Sequence, residues 1–161
     1  LVTQRRSTIG QVGSLQPIGA RVLLLDSRGE LPAIYREAVV AFVGGTLVPI
    51  GGHNLLEPAQ WAKPVLFGPH TDHCAEIADL LIQAGGGYRV SHQEDLIRQV
   101  IALFSDDEQR ERMGRSARQV VKQNQGALEQ SLEAIENLLM QQQGRSGAPR
   151  AERALPLVAG R

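Results

Sequence analysis

The sequence predicts an α/β fold, a Rossmann-like parallel sheet flanked by helices. Three observations point there. Short apolar runs at residues 21–25, 39–43 and 64–67 have the continuous pattern of strands buried on both faces. Stretches with helical spacing separate such runs, the alternation that builds parallel sheets. Between two of them, residues 44–69 read as glycine-rich loop, short helix and strand in close succession.

Composition sets the outer limits. A length of 161 residues with 42% hydrophobic content suits one domain with one core. Lys plus Arg and Asp plus Glu both number 17, so no global field recruits nucleic acid. One cysteine forms no internal disulfide and fits a reducing compartment. No signal peptide and no apolar run near 18 residues is present. The chain starts at Leu1 without Met, as a fragment of a larger protein would.

The elements follow in order. Leu1-Val2-Thr3 ends a helix or begins a strand, and Arg5-Arg6-Ser7 is a short basic spot. Gly10 to Gly19 is a polar, glycine-bearing loop. Arg21 to Leu25 is a buried strand, and Ser27 to Glu30 is the turn that follows it. Leu31-Pro32 opens a helix with proline in its first turn and Leu31, Ile34, Tyr35 and Ala38 on one face. Val39 to Val43 is the next strand, Asn54 to Trp61 a short helix, and Pro64 to Phe67 a third strand. Residues 74–84 form an amphipathic helix with Ile77, Leu80, Leu81 and Ala84 together; Gly85-Gly86-Gly87 ends it, before a strand at Tyr88-Arg89-Val90.

Ser91 with Glu94 matches a capping box, and Leu96, Ile97, Val100, Ile101 and Phe104 supply the buried stripe of the helix it starts. Ser105 with Glu108 repeats the signature for a charged helix ending near Asn124 to Gly126. The last helix, Ala127 to Gln142, carries Leu128, Leu132, Ile135 and Leu139 as a stripe for the core or for another domain. The domain is thus drawn at residues 1–143, with a flexible tail at 144–161.

The chemistry concentrates in the glycine loop. Glycines let a backbone approach a ligand closely and accept positive φ. The first N–H groups of a helix lack intrahelical partners, and the dipole adds partial positive charge. Together Gly51, Gly52, His53 and Asn54 make a candidate anion site, where a phosphate gains about 0.3–1 kcal/mol from the dipole alone. Glu57, three residues after Asn54, shares its side of the helix and is placed to accept from ribose hydroxyls. The ligand read from these residues is a nucleotide phosphate. Thr46 offers a hydroxyl at the loop's start, and His53 is either an anion donor or a local helix-start residue. The plainer alternative is a tight turn with Asn54 as N-cap. Neither G-x-G-x-x-G nor a Gly-Lys-Ser/Thr run occurs, which argues against a P-loop ATPase. His70, His73 and Cys74 lie close in sequence but lack the second ligand pair of a structural zinc site, so no metal is expected.

The whole stretch is more specific than its glycines. Gly44-Gly45-Thr46, Gly51-Gly52-His53-Asn54, Glu57-Pro58-Ala59, Lys63-Pro64-Val65 and Phe67-Gly68-Pro69-His70 resemble the motifs of the 3-deoxy-D-manno-octulosonic acid (Kdo) transferases. Leu25-Asp26-Ser27-Arg28-Gly29-Glu30-Leu31 with Tyr35 is similar to a further segment of that family. The resemblance covers roughly residues 1–140. It implies the C-terminal, donor-binding half of a GT-B glycosyltransferase, with an N-terminal acceptor domain absent from this chain. It also implies an inverting transfer of Kdo from CMP-Kdo to a lipid A precursor, at the cytoplasmic face of the bacterial inner membrane.

On that resemblance Gly29, Glu30 and Leu31 hold the base, and Arg6 and Ser7 lie near the donor pocket. Glu30 read alone only complements a helix start. The general base belongs to the absent domain, so no catalytic residue is assigned here and the fragment alone is expected to be inactive. No cofactor is implied. A UDP-sugar-dependent GT-B enzyme and a non-catalytic nucleotide-binding module are the two rival readings.

Overall fold

A computed structural model of the chain describes residues 2–9 and 21–145. It divides into two units, Leu1–Gln123 and Asn124–Arg161. The first is α/β, with parallel sheets flanked by helices. Strand β1 (Thr3–Arg5) pairs in parallel with β2 (Val22–Leu24). A second sheet has the order β3-β4-β5, built from Ala41–Val43, Val65–Phe67 and Gly87–Arg89, again all parallel. The register sets Ala41 beside Val65 and Val65 beside Gly87. Helix α1 (Leu31–Glu37) follows β2, and α2 (Leu56–Ala59) lies between β3 and β4. Helix α3 (Ala75–Gln83) precedes β5, and α4 (Gln93–Ser105) and α5 (Asp107–Arg145) are the last elements of the described residues.

The core lies on β3 and β4. Val65, Leu66 and Phe67 are fully buried, as a central parallel strand requires, and Leu55, Ala59, Ala78, Leu81, Ala117 and Val120 close around them. Glycines bring α5 close: a Cβ on Gly114 would stand 2.0 Å from the Ala62 carbonyl oxygen, and one on Gly86 2.4 Å from the Ala117 nitrogen. At such points only hydrogen fits between a helix and a loop.

Several elements differ from the sequence reading. Helix α2 has four residues rather than the eight of Asn54 to Trp61. At its start the Asn54 side chain accepts the Leu56 N–H in a turn of its own (3.0 Å). At its end Lys63 precedes Pro64, a position that disfavours the helical region, and Ala62 already has a φ of 54°.

Helix α4 is capped one residue later than the Ser91–Glu94 pattern. His92 Nδ1 accepts the Asp95 N–H, and buried Asp95 accepts both the Ser91 N–H and hydroxyl. That Ser91 amide, above all, holds the Asp95 carboxyl below the usual carboxylate range. The cap of α5 also shifts by one, since Asp106, not Ser105, accepts the Gln109 N–H (2.8 Å). The stripe of α4 is rotated too: Leu103 is buried, while Ile97, Ile101 and Phe104 are exposed.

Helix α5 does not stop near Gly126 but continues to Arg145, because one open helical glycine costs only about 1 kcal/mol. In the second unit, Leu132, Ile135 and Leu139 are exposed rather than buried, and that unit's described residues form one helix. Of the tail drawn at 144–161, residues 144 and 145 belong to α5, while 146–161, the loop at 10–19 and the Leu128 side chain lie outside the described residues.

Candidate functional site: the glycine loop at the carboxyl edge of the sheet

Thr46 organises the site. Its hydroxyl donates to the Val43 carbonyl at the end of β3 (2.7 Å) and accepts the Gly68 N–H just after β4 (2.8 Å). The Thr46 carbonyl accepts the His70 N–H (2.9 Å). One buried residue thus staples two neighbouring strand-to-helix loops. Gly68 is required there, because a Cβ would lie 2.2 Å from the Thr46 oxygen. The hydroxyl expected to face a ligand is used inside the fold, so Thr46 shapes the site from below.

Above this staple the chain turns back on itself. Gly45, Gly51 and Gly52 have φ of 74°, 92° and 80°, a region that L side chains rarely adopt. The Gly52 N–H donates to the Gly45 carbonyl (3.0 Å), which closes the loop. That amide is therefore not available to a ligand. Those of Gly51, His53 and Asn54 have no acceptor among the described residues. Two imidazoles flank the turn. The position of a Cβ on Gly51 is 2.6 Å from the His73 ring, and that on Gly45 is 3.5 Å from the His53 ring. The His73 N–H donates to the Gly51 carbonyl (3.1 Å). Cys74 packs against the core beneath, and burial first, then Asp72, pushes its thiol pKa up, so it is a packing group and not a thiolate. Among the described residues no group of three or more His, Cys, Asp or Glu is placed to hold a metal ion.

Glu57 lies in the first turn of α2, and its carboxylate makes no hydrogen bond or ion pair to a described residue. It is near enough to Tyr35 on α1 to add to the rise in that phenol's pKa, which burial causes chiefly. With only four residues α2 has little macrodipole, so any anion binding falls to the loop amides.

The second set of expected residues gathers at the ends of β1 and β2. Arg6 pairs with Glu30 (2.9 Å) and donates to the Ile9 carbonyl (3.0 Å). The Ser7 hydroxyl and N–H both donate to Asp26 (2.7 and 2.9 Å). Those bonds, the hydroxyl's first, hold the Asp26 carboxyl below its ordinary range. Ser27 donates to Glu30. Gly29 has a φ of 82° with open space around it, and Leu31 starts α1 half exposed. Arg6, Ser7 and Glu30 are thus engaged with one another's loops, while Gly29 and Leu31 remain accessible. Asp26, Gly68 and His73 are structural parts of the site that the sequence reading did not assign. The Phe-Gly-Pro run signalled Gly68, but nothing in spacing alone puts His73 over Gly51.

Two concavities lie elsewhere. One of about 360 Å³ is lined by Arg36, Lys63 and Arg110 among others, and one of about 520 Å³ by Ile82, Tyr88 and Met113 among others. Neither is formed by the glycine loop. No helix among the described residues is long and apolar enough to cross a membrane.

Comparison with known proteins gives a consistent picture. No known family profile matches the chain. The chain is 40% identical over 136 residues to the 3-deoxy-D-manno-octulosonic acid transferase of Haemophilus influenzae, covering 84% of this chain and 31% of that protein. It is 40% identical over 84 residues to the transferase of the same description from Aquifex aeolicus, covering 52% of this chain and 24% of that one. Among solved structures it matches the C-terminal CMP-Kdo binding domain of WaaA from Acinetobacter baumannii, with a TM-score of 0.67 and 32% identity over 75% of this chain and 61% of that one. The chain spans about a third or less of the length of these two curated relatives.

Proposed function

Taking as premise that this chain belongs with the 3-deoxy-D-manno-octulosonic acid transferases, we propose that it is the donor-binding half of an inverting GT-B glycosyltransferase. Its donor is CMP-Kdo and its acceptor a lipid A precursor, in lipopolysaccharide synthesis at the cytoplasmic face of the inner membrane. One observation carries the reading. Among the described residues the amides of Gly51, His53 and Asn54 have no acceptor, and they lie at the carboxyl edge of a parallel sheet, where open α/β sheets bind ligands. The Glu57 carboxylate, which has no partner among the described residues, lies just beyond them.

The chemistry follows from charge. As the bond between Kdo and the CMP phosphate breaks, negative charge grows on a phosphate oxygen. Donors already fixed by Thr46 and the positive-φ glycines need no reorganisation to receive it, and losing one such donor costs roughly 10²–10³ in rate. The His53 imidazole, beside Gly45, is a further donor to the phosphate or to the donor's carboxylate. Glu57 accepts from the ribose hydroxyls, and Gly29 to Leu31 present backbone toward the base. Arg6 and Ser7 hold that second loop in place rather than touching the donor. The lipid hydroxyl is deprotonated by a group in an N-terminal domain outside this chain. The donor domain is read at residues 1–143, with 144–161 as the stretch that follows it.

Calorimetry with CMP, UMP and ADP tests the assignment. The proposal expects CMP to bind best, and no transfer of Kdo by the purified chain alone. Preference for UMP would favour a UDP-sugar enzyme, and ADP binding equal to CMP a general nucleotide module. Kdo transfer by the isolated chain would refute its dependence on a second domain.

A further inference from the structure

We infer that the His73 imidazole is a ligand of the donor's phosphate, acting together with the Gly51 amide. This role rests on the proposed function, since the phosphate is that of CMP-Kdo.

Position comes first. His73 lies in a 3₁₀ turn (Asp72–Cys74) after β4, and this turn is fastened to the glycine loop. The His73 N–H donates to the Gly51 carbonyl (3.1 Å). A Cβ on Gly52 would meet the His70 carbonyl oxygen at 3.3 Å and the Cys74 sulfur at 3.6 Å. The His73 ring then occupies the place that a side chain at position 51 would take. Its atoms nearest that point are Cε1 and Nδ1 at 2.6 Å and Nε2 at 2.8 Å. The nitrogen-bearing edge of the imidazole, and not its Cγ–Cδ2 edge, is therefore turned onto Gly51. With that space taken and a φ of 92°, only glycine fits at position 51.

Hydrogen bonding points the same way. Gly51 is buried, yet its N–H has no acceptor among the described residues. Buried backbone donors are nearly always paired, so this amide calls for an oxygen. His73 is exposed, and neither of its ring nitrogens has a partner among the described residues. Asp72 and Glu76, the acids nearest to it in the chain, make no ion pair with the ring. A carboxylate or an apolar group would use only one of these two vacant donors well. A phosphate carries several acceptor oxygens, so one can take the Gly51 N–H while another takes the imidazole N–H. His53 approaches the same loop at Gly45 instead, so the two imidazoles border different parts of the turn.

NMR and calorimetry on the 161-residue chain test this role. Added CMP should shift the His73 ring resonances together with the Gly51 amide, while cytidine should leave both nearly in place. His73→Ala should weaken CMP binding about tenfold, the scale of one hydrogen bond to a charged group, and leave cytidine binding unchanged. His73→Asn, which restores an N–H donor close to the Nδ1 position, should recover most of that loss. Unchanged CMP affinity in folded His73→Ala, or an equal loss for CMP and cytidine, would overturn the inference. So would CMP binding that moves the amides of Gly51, His53 and Asn54 but not the His73 ring; the proposed function would then stand and the role of His73 alone would fall. No CMP binding at all would remove both. The ring resonances need no variant and decide the matter should His73→Ala misfold.

Discussion

At the scale of single residues, the site rests on a hydroxyl whose bonds are made inside the fold. Thr46 satisfies a buried carbonyl and a buried amide that belong to different loops. Thr46→Val keeps the shape and orphans both, and a buried unsatisfied group costs about 1–3 kcal/mol. Urea unfolding should show a lower midpoint with an unchanged slope. An unchanged midpoint would mean that water replaces the hydroxyl and the staple is not needed. Asp26 offers a second residue-scale test. Ser7 lowers its pKa in the folded state, so the linkage stabilises the fold above the unfolded carboxyl value and is lost as pH falls through the lowered one. Ser7→Ala should therefore flatten the fall in melting temperature between about pH 5 and pH 2, with little change at higher pH. The same slope in both proteins would detach Asp26 from acid stability.

At the scale of elements, sequence signals succeeded where one local cause dominated and failed where two competed. Continuous apolar runs located β2, β3 and β4, but the burial they imply holds throughout only in β4, since all three residues of β2 are exposed. The glycine pairs located the loop, because positive φ is a backbone demand visible in one residue type. Helix α2 was overestimated because the Asn54 turn and the Lys63-Pro64 step shorten it from both ends. The stripe of α4 was misplaced because Leu96, Ile97, Val100 and Ile101 fit two faces, and packing rather than periodicity chooses between them. The role of Thr46 was illegible, since its partner Gly68 is 22 residues away.

Two glycines in α5 read alike in sequence and differ in structure. Gly114→Ala gains about 1 kcal/mol of helix propensity, but its Cβ meets the Ala62 backbone at 2.0 Å, and overpacking costs about 1–3 kcal/mol. Gly126→Ala meets nothing within 4 Å and keeps the propensity gain. Thermal unfolding should fall for the first, while helicity at 222 nm rises for the second. Equal effects would show that α5 does not press on the loop at Ala62.

At the scale of the whole molecule, basic and acidic side chains balance at 17 each, and the described strands form two parallel sheets. The anion at the carboxyl edge would be held by local amides and not by a long-range field, so CMP affinity should depend only weakly on salt. A steep loss of affinity between about 50 and 300 mM salt would point instead to clustered cations such as Lys63 and Arg110. The central claim is that the Gly51-to-Asn54 loop grips the CMP phosphate, and a ¹⁵N-resolved NMR titration with CMP reads it directly. The amides of Gly51, His53 and Asn54 should shift most, that of Gly52 less because it is bonded to Gly45, and cytidine without its phosphate should leave all four nearly in place. Saturable CMP binding that leaves these amides unmoved while shifting residues around Lys63 and Arg110 would contradict the account.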